Sequence, residues 1–349
     1  MSTTIHQNRY QELDALRGIA ALITVLFHFT MHSEYAKYGF FIGITGVDLF
    51  FIISGFVIFM SVNHVSSRKE FIVNRITRLF PTYWTSVTLT FLVMLIVANY
   101  NDAFATISFI QYFGNLTMFQ HYFGIQDLDG PYWSLIIELL FYIFIIIIFK
   151  KIDKIVLIGL AVLVFILLIY ILPGTALWPY YLQIRAAIPL LNHFALFFAG
   201  ILFYKLMKEN DYKLVYYLLL VGLYFYHING QSHDSIFIDY DRYSLTILSY
   251  FILFTLFVNN KLSFIVSKTT IFLGKISFAL YLVHQYIGRN VLINLMVEKW
   301  CFNYVGALLI ALIIVVGLAT AITYYIEIPV GKKLNNFLRF ALRLPKKVS

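Results

Sequence analysis

Seven ionisable side chains interrupt otherwise apolar stretches of this chain: Arg17, His28, Asp48, Glu138, His193, His284 and Arg289. A charge in such a setting is expensive, so each is a functional hypothesis by default. The types suggest a division of labour. A histidine titrates near neutral pH and can take a proton from a hydroxyl and return it. A carboxylate can hold such an imidazole in one tautomer. A guanidinium grips phosphate bidentately, which a lysine does less well. Arg17 and His28 are 11 residues apart, about three helical turns, so a helix would put both on one face with ~16 Å between them along its axis. Arg75 and Arg78, three apart, would also be helical neighbours.

Each residue also has a structural reading. Arg17 could snorkel to the interface, and His28 could bond a neighbouring helix. Asp48 could cap the N-terminus of the helix it opens, or orient His28 across a short turn. Glu138 could bond another helix or serve His28. His284 could line a cavity or hold two helices together, whereas His193 reads as structural. Ser54-Gly55 reads as a close helix contact, with Ser54 and Trp133 as candidate cavity-lining groups. The three histidines lie on three separate spans without close pairing, which argues against a metal site. The single Cys301 permits no internal disulfide.

Elements able to position these groups must lie in a membrane. Hydrophobic residues make up 61% of the 349 and charged residues only 12%, against ~25% charged in soluble domains. A soluble enzyme or nucleic-acid module is excluded as the main body, and the net charge of +9 is read as basic cytoplasmic loops. Ten stretches are apolar for the ~20 residues that a bilayer requires: 14–33, 44–62, 82–98, 131–149, 154–172, 188–206, 213–228, 243–258, 276–297 and 304–326. The stretch 103–120 is weaker, re-entrant or interfacial. With the N-terminus inside, 20 of the 26 Lys and Arg residues fall on the inner side. Four lie outside (Lys37, Arg185, Arg242, Lys299), and Arg17 and Arg289 lie within spans. This positive-inside asymmetry predicts an all-α bundle of about ten spans with both termini cytoplasmic. The first span reads as a retained anchor, since no small-residue cleavage site follows it.

The expected organisation is one transmembrane domain over 1–349, with an N-terminal tail (1–12), a basic interfacial segment (63–82) and a basic C-terminal tail (327–349). In the interfacial segment Phe71, Ile72, Ile76, Leu79 and Phe80 form an apolar stripe suited to the membrane surface. Arg75 and Arg78 there make either an ordinary basic helix or, with Arg17 at the same depth, an anion site. A transporter or lipid flippase would also fit polar residues in a multi-span bundle, although no internal repeat is visible.

Leu13-Asp14-x-Leu16-Arg17-Gly18, the Arg17-x10-His28 spacing, Gly46-Val47-Asp48-Leu49-Phe50-Phe51-x-x-Ser54-Gly55-Phe56, Arg75-x-x-Arg78-x-x-Pro81-x-Tyr83-Trp84, Trp133-Ser134-Leu135-x-x-Glu138, Tyr281-Leu282-Val283-His284 and Tyr324-Tyr325-Ile326-Glu327-x-Pro329 occur in this order. Together they resemble the acyltransferase-3 family of integral-membrane O-acyltransferases across nearly the whole chain. The resemblance implies a bacterial-type cell-membrane enzyme. Such an enzyme would move an acyl group, usually acetyl, from cytoplasmic acyl-CoA to a hydroxyl of an extracytoplasmic or membrane-linked glycan, without a metal. It assigns Arg17 and His28 as essential, and Arg75 and Arg78 to CoA. His28 would be the general base, oriented by Asp48 or Glu138, with direct transfer preferred over an acyl-histidine intermediate. A lipid, peptidoglycan sugar or secreted metabolite is the alternative acceptor.

Overall fold

A computed structural model describes residues 10–38, 40–100, 108–170, 174–230 and 237–345. Residues 1–9 and 346–349 of the expected tails, and 103–107 of the weak stretch, lie outside the described residues. The described chain is helical throughout, with no strand: α1 (Gln11–Thr30), α2 (Gly46–Val62), α3 (Arg68–Tyr100), α4 (Phe109–Leu116), α5 (Trp133–Ile148), α6 (Ile155–Tyr170), α7 (Trp178–Ala187), α8 (Leu190–Lys208), α9 (Lys213–Gly230), α10 (Tyr240–Val258), α11 (Lys268–Val283), α12 (Tyr304–Ile322) and α13 (Ile328–Ala341). Beyond α11 the helix widens into π turns over His284–Ile293 and Leu295–Lys299.

Eight described stretches are long and apolar enough to cross a membrane, and the fold is an all-α polytopic membrane protein. Two features separate this number from the ten expected. The stretches 131–149 and 154–172 form one apolar run, Gly130–Leu168, which bends where Lys151 leaves helical geometry. In α9 the polar rims of Tyr216, Tyr217, Tyr224, Tyr226 and His227 lower the hydropathy of an 18-residue helix.

The basic segment 63–82 is not a separate surface helix. From Arg68 it is continuous with the span that follows, as one 33-residue helix, ~50 Å long against a ~30 Å hydrocarbon core. Its expected membrane-facing stripe turns inward: Phe71 and Leu79 are buried, and Phe71 meets Tyr142 edge-on. Pro81 lies inside this helix. It has no N–H to offer the carbonyl of Thr77, and Gly331 of α13 comes so close to that carbonyl that a Cβ would sit 2.8 Å from it. The expected C-terminal tail is likewise folded over Ile328–Ala341. There α13 docks on α3 through Arg339–Glu70 (2.6 Å) and Asn335–Thr77 (3.1 Å).

Two glycine crossings set the centre of the bundle. Cβ atoms at Gly55 and Gly200 would sit 2.0 Å from the Phe197 carbonyl and 2.1 Å from the Ile52 carbonyl, so α2 and α8 touch backbone to backbone, as expected for Ser54-Gly55. A Cβ at Gly274 of α11 would sit 1.9 Å from the Asp14 carbonyl of α1, and one at Gly18 would sit 2.7 Å from the Gly274 nitrogen. Ten residues beyond each of these glycines stands a histidine, His28 on α1 and His284 on α11, and the two rings meet. The equal offset means that α1 and α11 run parallel and in register.

Candidate active site

The chemistry-bearing residues gather at two levels of α1. At the first, Arg17 pairs with Asp14 at 3.7 Å and stands within Coulombic reach of Arg78 and Glu138. Arg75 donates to Ser61 Oγ at 3.0 Å and lies over the rings of Phe71 and Tyr142 at 5.6 and 5.8 Å. It shares its field with Tyr142, Arg78 and Glu138. Glu327, from the wide turn after α12, faces Arg78 and Arg17. Arg78 is exposed, while Arg17 and Arg75 are half-buried. Arg17 and Arg75 thus share Arg78 and Glu138 as charged neighbours, with Asp14 beside Arg17 and Glu327 within the field of Arg78 and Arg17.

About 16 Å further along α1 is the histidine pair. His284 is closed to solvent, and its Nδ1–H donates to the Tyr281 carbonyl at 2.8 Å. A carbonyl can only accept, so the neutral ring keeps its lone pair on Nε2. That lone pair lies 3.1 Å from His28 Nδ1, which also lies 2.9 Å from the Thr24 carbonyl. Both acceptors demand a proton on His28 Nδ1. The His28 tautomer is thereby set, and its Nε2 is left as the basic nitrogen on a half-buried ring.

Neither expected carboxylate bonds His28. Glu138 Oε1 accepts from Tyr142 (2.6 Å) and Ser54 (3.2 Å) and belongs to the arginine level. Asp48, in the first turn of α2, accepts from Tyr243 at 3.4 Å, and Tyr243 in turn meets His227 at 2.8 Å. A neutral imidazole occupies the place expected for a carboxylate.

The position of His284 depends on a helix defect. The change from α to π geometry begins at that residue; π turns inside helices often occur at functional sites. Tyr286 N–H, displaced from the α ladder, is taken by both oxygens of the buried Asp129 carboxylate, each at 3.1 Å. Asp129 lies just before α5, in an Asp-Gly-Pro turn that sequence reasoning passed over. The same turn reaches α11 again: Ser134 Oγ and Tyr281 Oη are 2.8 Å apart, and both lie 3.1 Å from the Pro131 carbonyl. The Trp133-Ser134 and Tyr281-x-x-His284 motifs, far apart in sequence, are thus one construction. Trp133 itself is partly exposed and meets His193, which is flanked on its other side by Phe51. Arg289 bonds Asn294 within the π region. Among the described residues no group of three His, Cys, Asp or Glu side chains could hold a metal ion.

Comparisons with known proteins point to membrane acyltransferases. The chain is 25% identical over 310 residues to the ORF330 protein of Acidianus two-tailed virus, provisionally named an acetyltransferase, covering 81% of this chain and 84% of that one. It is 32% identical over 151 residues to BcsY of Komagataeibacter xylinus, provisionally named a membrane-bound transacylase, covering 39% of this chain and 36% of BcsY. It is 28% identical over 158 residues to the peptidoglycan O-acetyltransferase OatA of Listeria monocytogenes, covering 40% of this chain and 24% of OatA. No solved structure matches. A family profile described as an acyltransferase domain matches residues 10–326, and the chain belongs to this acyltransferase-3 family of membrane enzymes.

Proposed function

We propose that this acyltransferase carries an acyl group, most simply acetyl, from cytoplasmic acyl-CoA to a hydroxyl of an extracytoplasmic or membrane-linked glycan at the cell membrane. The observation that supports this reading is the pairing of a guanidinium cluster at one level of α1 with an oriented imidazole ~16 Å along the same helix. Arg75, Arg78 and Arg17 hold the phosphates of the donor on the inner side. The donor arm runs beside α1, where the turns between Arg17 and His28 carry the small residues Ala21 and Thr24. The thioester then lies at His28, and the acceptor hydroxyl approaches from the outer side.

In the transfer, His28 Nε2 takes the hydroxyl proton as the acceptor oxygen attacks the thioester carbonyl carbon. The C–S bond breaks, the new ester forms, and the thiolate recovers the proton from His28 to leave as free thiol. His284 acts as a positioning residue: its Nε2 lone pair faces His28 Nδ1–H and favours the imidazolium while it exists. The same geometry would also allow a transient acyl group on His28, and rapid-quench labelling separates the two routes. The glycan acceptor rests on OatA, named for peptidoglycan O-acetylation.

The test uses purified protein with labelled acetyl-CoA, together with mass spectrometry of surface glycans from a deletion strain and its parent. His28→Ala is expected to abolish transfer while the protein stays folded, and the deletion strain to lose one acyl ester. Full transfer by His28→Ala, or identical glycans in the two strains, overturns the respective half of the reading.

A further inference from the structure

One face of α3 is polar along most of its length. Arg75, Arg78, Thr82, Ser86 and Thr90 recur at spacings of three and four, which keeps them on one side of the helix. The two ends of this face are anchored at the two levels of the site. Arg78 belongs to the arginine cluster. Thr90 Oγ1 lies 3.3 Å from Tyr132 Oη, next to the turn that bonds Tyr281. The rise from Arg78 to Thr90 is ~18 Å, close to the ~16 Å between Arg17 and His28 on α1.

Thr82 and Ser86 lie between these ends. Both are completely closed to solvent, and among the described residues neither hydroxyl has a well-aligned hydrogen-bond partner. This departs from the rest of the helix, where Thr77 and Thr85 bond back to the carbonyls of Val73 and Pro81 at 2.8 Å, the usual resting place for a helical hydroxyl. The Glu327 carboxylate stands within hydrogen-bonding reach of Thr82 in poor alignment, so Ser86 is the hydroxyl without a partner among the described residues. A buried hydroxyl left unpaired is costly, and here an unpaired Ser86 and a poorly paired Thr82 lie one turn apart on the face that joins the phosphate level to the base level.

We propose that Thr82 and Ser86 are the binding groups for the pantetheine arm of the donor. The inference rests on the acyl-CoA reading above. If the phosphates sit at the arginines and the thioester at His28, the segment between them is uncharged and carries two amides and a hydroxyl. Buried hydroxyls, each able to donate and to accept, complement the amides and hydroxyl of such a segment.

The test is calorimetry on the purified full chain in detergent with two probes. One is CoA; the other is adenosine 3′,5′-bisphosphate, which has the nucleotide phosphates and no arm. The wild type is expected to bind both, CoA the more tightly. Thr82→Val with Ser86→Ala is expected to weaken CoA about tenfold or more, from about threefold to tenfold per hydrogen bond lost, and to leave the bisphosphate unchanged. Its melting temperature is expected to stay close to the wild type's, because Ser86 loses no bond and Thr82 only a misaligned one to Glu327; Ser86→Ala alone serves if the pair does not fold. Equal CoA affinity in variant and wild type overturns the assignment, as does parallel weakening of both probes. So does a wild type that binds CoA no better than the bisphosphate. A wild type that binds neither probe overturns the donor reading itself, a distinguishable result.

Discussion

His284 is the residue whose removal tests the site most directly. His284→Phe keeps an aromatic ring in the buried site and takes away one of the two acceptors facing His28 Nδ1–H, the one at 3.1 Å. The bond is made to a neutral ring in the resting enzyme and to an imidazolium during transfer. Hydrogen bonds to charged groups contribute about 1.5–3 kcal/mol, so kcat should fall about 10- to 150-fold. The Thr24 carbonyl still accepts from the same N–H, which places the expectation toward the lower end. KM for the donor should not move, because the arginine cluster lies ~16 Å away. His284→Gln, which restores an acceptor, should recover part of the rate. The assay is steady-state transfer from labelled acetyl-CoA, with thermal melting to establish folding. Wild-type kcat in a folded His284→Phe, or a loss carried wholly by KM, would refute the positioning role.

Three other perturbations probe the surrounding construction. Asp129→Ala removes the acceptor of Tyr286 N–H and should lower kcat about tenfold or more without weakening CoA in calorimetry; unchanged turnover would detach the π turn from the chemistry. Gly274→Ala places a Cβ 1.9 Å from the Asp14 carbonyl, so α1 and α11 must separate, with a stability loss of about 1–3 kcal/mol read as a lower melting temperature and a reduced transfer rate. Arg75→Ala should raise the CoA Kd about 10- to 150-fold, at roughly 1.5–3 kcal/mol for a charge-assisted bond, and equal calorimetric affinity in the two proteins would remove it from the phosphate site.

Much of this architecture is legible in the sequence because local periodicity carries it. Arg17 and His28 share a face of α1 by helical arithmetic alone, and the positive-inside pattern and apolar runs foretell a polytopic helical bundle. What is not legible arises between distant segments. The partner of His28 lies 256 residues away, and nothing in the Tyr281-Leu-Val-His284 string shows that the helix widens there. That defect is held by Asp129, on another turn. The expected boundary between the segment 63–82 and the span 82–98 falls beside Pro81, which lacks a helical N–H, yet α3 runs through it. The close approach of Gly331 of α13 to the Thr77 carbonyl beside that proline has no local signal in the α3 sequence. Thr82 and Ser86 read as ordinary helix residues until their lack of well-aligned partners is seen.

Glu138 illustrates how depth along a helix can mislead and how the two roles can be told apart. Counted from the outer end of α5, it belongs at the level of His28; in the bundle it faces Arg17 and Arg75 and bonds Tyr142 and Ser54. Half-buried guanidiniums at the edge of a low-dielectric interior need counter-charges, and Asp14, Glu138 and Glu327 lie in their field. An anionic donor must then compete with these carboxylates. Glu138→Gln removes one negative charge from the competition, so CoA should bind more tightly by about 1 kcal/mol, roughly fivefold. If Glu138 instead oriented the base, the same change would lower kcat and leave donor affinity alone. Calorimetry and turnover on one preparation distinguish the two, and a Glu138→Gln protein with wild-type CoA affinity and impaired kcat would return Glu138 to the side of His28.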